Sequence, residues 1–384
     1  MKICIFTHQY LPSIGGVQVL VHNFIQYLLK ETPHEILLVA PYYGGQSHSV
    51  ETIGRLKIYR IFNPNKRWSV FKALWKFPSI LKKEVPDLIH GQDLLIDAMF
   101  CSIAHLCGSW PVILSTQGEL NPFKRNKIPW QTLIKVPYLK WVMSKTFVVI
   151  APEPNIKKKL AQYIGYPSKI HQINNAIYVS SEQQCATKKD YCRLSSLGIE
   201  PEHYFLFLGR LILEKGVVEI VEAVTLQQAH FRQNNFKFYF SGDGSAKSKL
   251  QELCSENHIN DLILFSKDIL PQDKWILLRH CRAMVLPSWE ENLPISMLEA
   301  FGLNIPVIGS DIPEIKALIT SPSLGNVIKL KSVESLSLAF EDAMKTQKIL
   351  APDVFAKAMA PYDLRQMGTQ FLKLYDLATF EKFK

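Results

Sequence analysis

The chain has 384 residues, 47% of them hydrophobic and 20% charged, which suits a folded globular protein and excludes a disordered one. At that length two domains are expected, and no apolar run reaches the ~18 residues that cross a bilayer. The formal net charge of +10 is one-sided: residues 1–184 hold 21 Lys and Arg against 10 Asp and Glu, and residues 185–384 hold 23 against 24. An anionic partner is therefore expected at the first half.

The opening, MKICIFTH, turns polar after a short apolar stretch, the pattern of a first β-strand and not of a signal peptide. VQVLVHNFIQYLLK follows with apolar residues at helical spacing. EILLVA, DLIH, PVILST and FVVIA are the next strand candidates. The apolar run closest to bilayer length, Leu94 to Cys107, is not a strand candidate and is broken by Asp97 and His105. After the polar stretch Ala176–Glu202, where the linker is expected, come YFLFLG, KFYFSG, LILF, AMVLP and PVIG. Strands alternating with helices imply parallel sheets covered on both faces, so the expected class is α/β with two Rossmann-like domains. The seven cysteines form no C-x-x-C pair. That predicts a reduced, cytoplasmic protein without a structural metal.

Ligands of open α/β sheets bind beyond the carboxyl ends of the strands, so the residues that follow strands carry the information. PSIGGVQ (12–18) places Gly15 and Gly16 before a helix, where a tight turn and an anion-binding amide pair are equally good readings. LGRLILEKG (208–216) sets Arg210 and Lys215 just after Gly209, cations able to grip a phosphate or simply to be solvated. SGDG (241–244) offers Gly242 and Gly244 at another strand end, with room for a planar base or only a turn. PSWEENLPISMLEAFG (287–302) places Glu291 on a loop and Glu299 in the following helix, with seven residues between them. Carboxylates accept hydrogen bonds from sugar hydroxyls, while a helix start near Asn292 and Leu293 offers amides to phosphate. Acidic residues favouring a helix start explain the pair about as well.

Taken together and in this order, the stretches resemble the retaining glycosyltransferases of family four, which adopt the GT-B fold. PSWEENLPISMLEAFGLNIPVI is similar to their E-x7-E signature, GRLILEKG to their phosphate motif, SGDG to their nucleotide loop, and IFTHQYLPSIGGVQVLVHNFIQYL to their opening. Pro361–Phe383 resembles their closing helix, which crosses back to the first domain. The resemblance implies two Rossmann-like domains facing across a cleft. Residues 1–178 with 361–384 would bind acceptor, and 179–360 a nucleotide-sugar donor, UDP- or GDP-linked. It further implies that Arg210 and Lys215 hold the diphosphate, Glu291 the sugar hydroxyls and Glu299 the ribose. Gly209, Gly242, Gly244, Asn292 and Leu293 would line the donor, with Gly15 and Gly16 closing over it. No cofactor or metal is implied, and no Asp-x-Asp pair occurs.

Departures from the pattern bear on acceptor-side chemistry and on donor identity: Asn175-Ala176 stands for a common Asn-Gly before the linker, and Ser266-Lys267 where a glycine usually follows the LILF strand. Gln117 stands where the family often has histidine, and His90-Gly91-Gln92 replaces a frequent His-x-His. His90, Gln117 and Glu119 are the acceptor-side candidates. The acceptor would be a saccharide or a lipid-linked sugar, in surface polysaccharide or glycolipid synthesis.

Two basic stretches interleave aromatics: residues 65–84 with Trp68, Phe71 and Trp75, and residues 122–145 with Trp130, Tyr138 and Trp141. An anionic membrane surface suits both, as does an ordinary amphipathic helix with its aromatics turned inward. The first reading places the protein peripherally on the inner face of a membrane. No nucleic-acid motif is present, so nucleic acid is not an expected partner. A sugar-nucleotide epimerase or an inactive binding protein would share this architecture.

Overall fold

The computed structural model describes residues 1–13, 15–43, 48–116, 129–266, 273–291, 293–346 and 351–382. Two compact units divide the chain: Met1–Ala176 with Tyr362–Lys384, and Ile177–Pro361.

In the first unit the chain runs β1 (Lys2–Phe6), α1 (Gly16–Glu31), β2 (Glu35–Pro41), β3 (Ser49–Ile53), β4 (Leu56–Phe62), α2 (Arg67–Glu84), β5 (Leu88–Gly91) and α3 (Ile96–Gly108). It continues through β6 (Val112–Ser115), α4 (Pro129–Lys145), β7 (Val148–Ala151), α5 (Pro154–Ile164) and β8 (Ile170–Gln172). The eight strands lie in the order β3-β4-β2-β1-β5-β6-β7-β8, parallel except for the β3–β4 hairpin. Side chains alternate across a strand, so β1 feeds two cores. Cys4 and Phe6 face one, where Phe6 packs 4.5 to 5.9 Å from Phe62, Phe77 and Phe100. Ile3 and Ile5 face the other, which α1 covers with Phe24, Ile25 and Leu28. The last helix of the chain, Leu364–Lys382, completes that second core with Met367, Phe371 and Tyr375.

The second unit contains α6 (Ser181–Gln184), α7 (Lys188–Ser196), β9 (Tyr204–Leu208), α8 (Val217–Leu226), α9 (Gln228–Gln233), β10 (Lys237–Ser241) and α10 (Lys247–Glu256). Then follow β11 (Ile263–Phe265), α11 (Asp273–His280), β12 (Ala283–Leu286), α12 (Ile295–Gly302), β13 (Val307–Ser310), α13 (Pro313–Lys316), β14 (Gly325–Ile328), α14 (Val333–Lys345) and α15 (Pro352–Met359). Its six strands are all parallel, in the order β11-β10-β9-β12-β13-β14. A phenylalanine-rich core (Phe205, Phe207, Phe231, Phe238, Phe240 and Phe340) fixes the helices on one face.

The polar stretch 176–202 is mostly not linker. Its helix α7 is docked on the second unit: Asp190 pairs with Arg279 and with His280, and Arg193 pairs with Asp273 at 2.7 Å. Its polarity reflects these ion pairs, with Leu194 buried between them.

Candidate active site

Each sheet reverses its strand order at one point, and ligands of open α/β sheets bind there. In the second unit the reversal lies between β9 and β12, so the loops leaving those two strands meet. Gly216 is what lets them meet. It sits at φ +68°, and a Cβ there would lie 2.2 Å from the carbonyl oxygen of Pro287. Only glycine takes both the left-handed backbone and the close approach.

That contact sets Lys215 beside Glu291, with Nζ 2.5 Å from Oε1 and the two side chains 20% and 10% exposed. Ser288, fully buried, donates to the same carboxylate oxygen at 2.7 Å, and Ser310 donates to the Ser288 carbonyl. The loop is clamped again at Trp289, whose indole N–H donates to Glu219 at 2.7 Å, and whose ring lies 3.7 Å from the Lys331 ammonium. A cation and a carboxylate are thus held at one strand end by a rigid shell. Arg210 is exposed, and among the described residues no hydrogen bond or ion pair joins its guanidinium to anything.

Glu299 lies on α12, 4% exposed, with Lys274 of α11 at 2.5 Å. Burial raises its pKa, and the Lys274 ammonium opposes the rise. The α12 N-cap is Pro294, preceded by the half-buried Leu293. Asn292 lies outside the described residues.

Gly242 and Gly244 let their loop approach the β9 loop closely. A Cβ on Gly242 would sit 1.9 Å from the Gly209 carbonyl oxygen, and one on Gly244 would sit 2.3 Å from that of Leu211. On that side of each glycine the space is filled by backbone of the β9 loop. Ser266 secures the contact through the Gly242 amide at 3.2 Å.

In the first unit the strand order reverses between β1 and β5. Gly15 is the N-cap of α1 in extended backbone, with Gly16 as the first helical residue. His90, expected on the acceptor side, is closed off instead. It is 1% exposed, with Nδ1 2.7 Å from the Tyr375 hydroxyl and Nε2 2.8 Å from that of Ser115. Burial pushes its pKa down to about 3, so the ring is a neutral strut between the sheet and the last helix. Gln117 and Glu119 lie outside the described residues.

A polar group that does stand at this switch point is His8, two residues beyond β1, with its Nε2 3.0 Å from the Gln9 side-chain amide. The fully buried Asp97 accepts from the His8 backbone amide at 2.9 Å, has Nδ1 of its ring at 2.8 Å, and accepts from the Gln92 amide at 3.1 Å. Asp93 accepts from the amides of Leu95 and Asp97. Burial pushes both aspartates up, and His8 opposes it at Asp97. His8, Asp93 and Asp97 bring ligand atoms within 4.8 Å of one another. Their hydrogen bonds to each other and to backbone amides account for that grouping.

Sequence reading missed His8, Asp97 and Lys274. The first two had a signal: a histidine directly after a strand, and one acid inside the greasy 94–107 run. Lys274 had none, because its partner comes from a different helix.

Two family models cover most of the chain: one described as Glycosyltransferase Family 4 over residues 14–181, and one as Glycosyl transferases group 1 over residues 195–357. TuaC of Bacillus subtilis, named as a teichuronic acid biosynthesis glycosyltransferase, is 25% identical over 72% of this chain and 67% of its own. The GDP-mannose:cellobiosyl-diphosphopolyprenol alpha-mannosyltransferase of Xanthomonas campestris is 23% identical over 98% of this chain and 97% of its own. Among solved structures, Anabaena HepE in complex with UDP and glucose superposes with a TM-score of 0.75 at 14% identity, covering 98% of this chain and 99% of that one.

Proposed function

The chain belongs to the family-four glycosyltransferases of GT-B fold, and from that premise we propose that it moves a sugar from a UDP- or GDP-sugar to a saccharide or lipid-linked acceptor, with retention and without a metal. The setting is surface polysaccharide or glycolipid synthesis, as the names of its relatives suggest. The observation that carries the reading is the Lys215–Glu291 pair at the switch point of the second unit.

In this reading the second unit holds the donor. Lys215, with the exposed Arg210, neutralises the diphosphate and stabilises the charge that develops on it as it leaves. Glu291 accepts from the sugar hydroxyls and, through its contact with Lys215, fixes where that ammonium points. Glu299 receives the ribose, and the amides near Leu293 face phosphate or sugar. The bond from the anomeric carbon to the diphosphate oxygen breaks, and a bond to the acceptor oxygen forms on the same face. The departing phosphate oxygen takes the acceptor proton, so no histidine base is required.

The first unit holds the acceptor. With His90 closed off, His8 and its neighbour Gln9 are the groups at the switch point proposed to meet an acceptor hydroxyl: Asp97 orients the His8 ring through Nδ1, and Nε2 lies 3.0 Å from the Gln9 side-chain amide, whose place the hydroxyl would take. An anionic membrane surface is the remaining partner, and it places the protein on the cytoplasmic face. Among the described residues no helix is long and apolar enough to cross a membrane.

The test is the anomeric configuration of the product. Donor and acceptor are incubated with chelator present, and the new linkage is read by proton NMR. The donor's own configuration is expected; the inverted anomer, or activity only when a divalent ion is restored, overturns the proposal.

A further inference from the structure

Helix α2 turns two unlike faces in opposite directions. Ala73, Phe77, Ile80, Leu81 and Glu84 are buried. Trp68, Phe71 and Trp75 point the other way, 77%, 55% and 76% exposed. Spaced three and four residues apart, they form one line along the helix. The amphipathic packing that would have turned these aromatics inward is absent here. By contrast, Tyr138 and Trp141 in the second basic stretch pack against the first core, and Tyr138 donates to the Leu95 carbonyl at 2.5 Å.

The cations share the outward side. Lys66, Arg67, Lys72, Lys76, Lys82 and Lys83 are all exposed. The single acid of the helix, Glu84, is turned to the sheet, 2.9 Å from Lys2 and 2.7 Å from Lys57, and accepts from the Tyr59 hydroxyl. No negative charge on α2 therefore offsets the outward cations.

We propose that this face docks on an anionic lipid surface, with Trp68, Phe71 and Trp75 entering the headgroup layer and the flanking cations meeting lipid phosphates. Charge complementarity selects the occupant. A second copy would set like charges against one another, whereas an anionic bilayer offers both negative charge and a layer in which indoles settle. Exposed aromatics in a line are otherwise costly to solubility. The proposal deepens the reading of a lipid-linked acceptor and rests on it for its purpose, but its test uses neither donor nor acceptor.

Co-sedimentation is measured with vesicles of phosphatidylcholine alone and of phosphatidylcholine mixed with phosphatidylglycerol. The wild type should bind the mixture and leave the pure vesicles. Trp68→Ser, Phe71→Ser and Trp75→Ser together should lower partition by on the order of a hundredfold. Lys72→Gln, Lys76→Gln and Lys83→Gln together should lower it by roughly a hundredfold at low salt, about fivefold per charge. All six side chains are exposed, and unchanged circular dichroism and thermal unfolding check the fold. Equal binding by the aromatic variant, no preference for the mixture, or tighter retention on single-stranded DNA than on vesicles overturns the proposal. Transfer to a water-soluble acceptor is assayed in parallel. Transfer without vesicle binding sinks this inference alone, and vesicle binding without transfer sinks the proposed function alone.

Discussion

Replacing Lys274 with methionine should destabilise the second unit by more than the loss of one surface lysine. Glu299 is 4% exposed and Lys274 is 2.5 Å from it. Removing the cation leaves a buried carboxylate without its charge partner, a change that costs about 3–5 kcal/mol. For a unit of this size that is a fall in Tm of about 10 °C. The cost should depend on pH in a definite direction. Burial raises the Glu299 pKa in the folded state, and losing Lys274 raises it further. Below the ordinary carboxylate pKa both states hold the proton, and the variant loses little. As pH climbs from there to the raised folded value, the unfolded chain releases its proton while the folded one keeps it, so stability falls. Urea unfolding of Lys274→Met across that range measures the slope. Glu299→Gln in the same background removes the charge and should return most of the loss, giving a large coupling in the double-mutant cycle. A cost under about 1 kcal/mol that is flat with pH would put Glu299 in contact with water, in the range of an exposed pair, and refute the reasoning.

Three other outcomes follow from the geometry. Lys215→Ala should lower kcat by about a hundredfold or more, because it removes charge stabilisation at the leaving group; initial rates at saturating donor read this, and Lys215→Arg should retain part of the activity. Gly216→Ala should cost about 1–3 kcal/mol from backbone strain alone and displace the Lys215 loop, since the new Cβ meets the Pro287 carbonyl; urea midpoint and kcat should fall together. His90, held neutral with a pKa of about 3, should make the first unit acid-sensitive: the unfolded histidine gains a proton near pH 6.5 while the folded one does not. Stability should then drop as pH falls from there toward 3, by up to about 5 kcal/mol, and a His90→Gln variant should show a shallower slope.

Central strands were legible in the sequence, and of the edge strands only β11, the run LILF, was. All ten apolar runs singled out in the sequence form strands, because a strand buried on both faces reads as continuous Val, Ile, Leu and Phe. The missed strands β3, β8 and β14 lie at sheet edges, and β4 lies next to one. β3, with four exposed residues of five, has little apolar surface to betray it. The chemistry at strand ends was partly legible. Lys215 and Glu291 stood out as charged residues beyond strand ends, but their contact depends on Gly216 closing on Pro287, which no local pattern contains. His90 misled because the family's His-x-His pattern points to it, while its two hydroxyl partners come from residues 115 and 375.

Thermal unfolding in the presence of UDP, GDP, ADP and their common sugars, without added metal, tests the central claim most directly. One nucleotide should raise the midpoint of the wild type, its sugar should raise it further, and the gain from the sugar should vanish in Glu291→Gln. A shift that survives unchanged in Glu291→Gln and in Lys215→Ala would place the donor elsewhere and contradict the account.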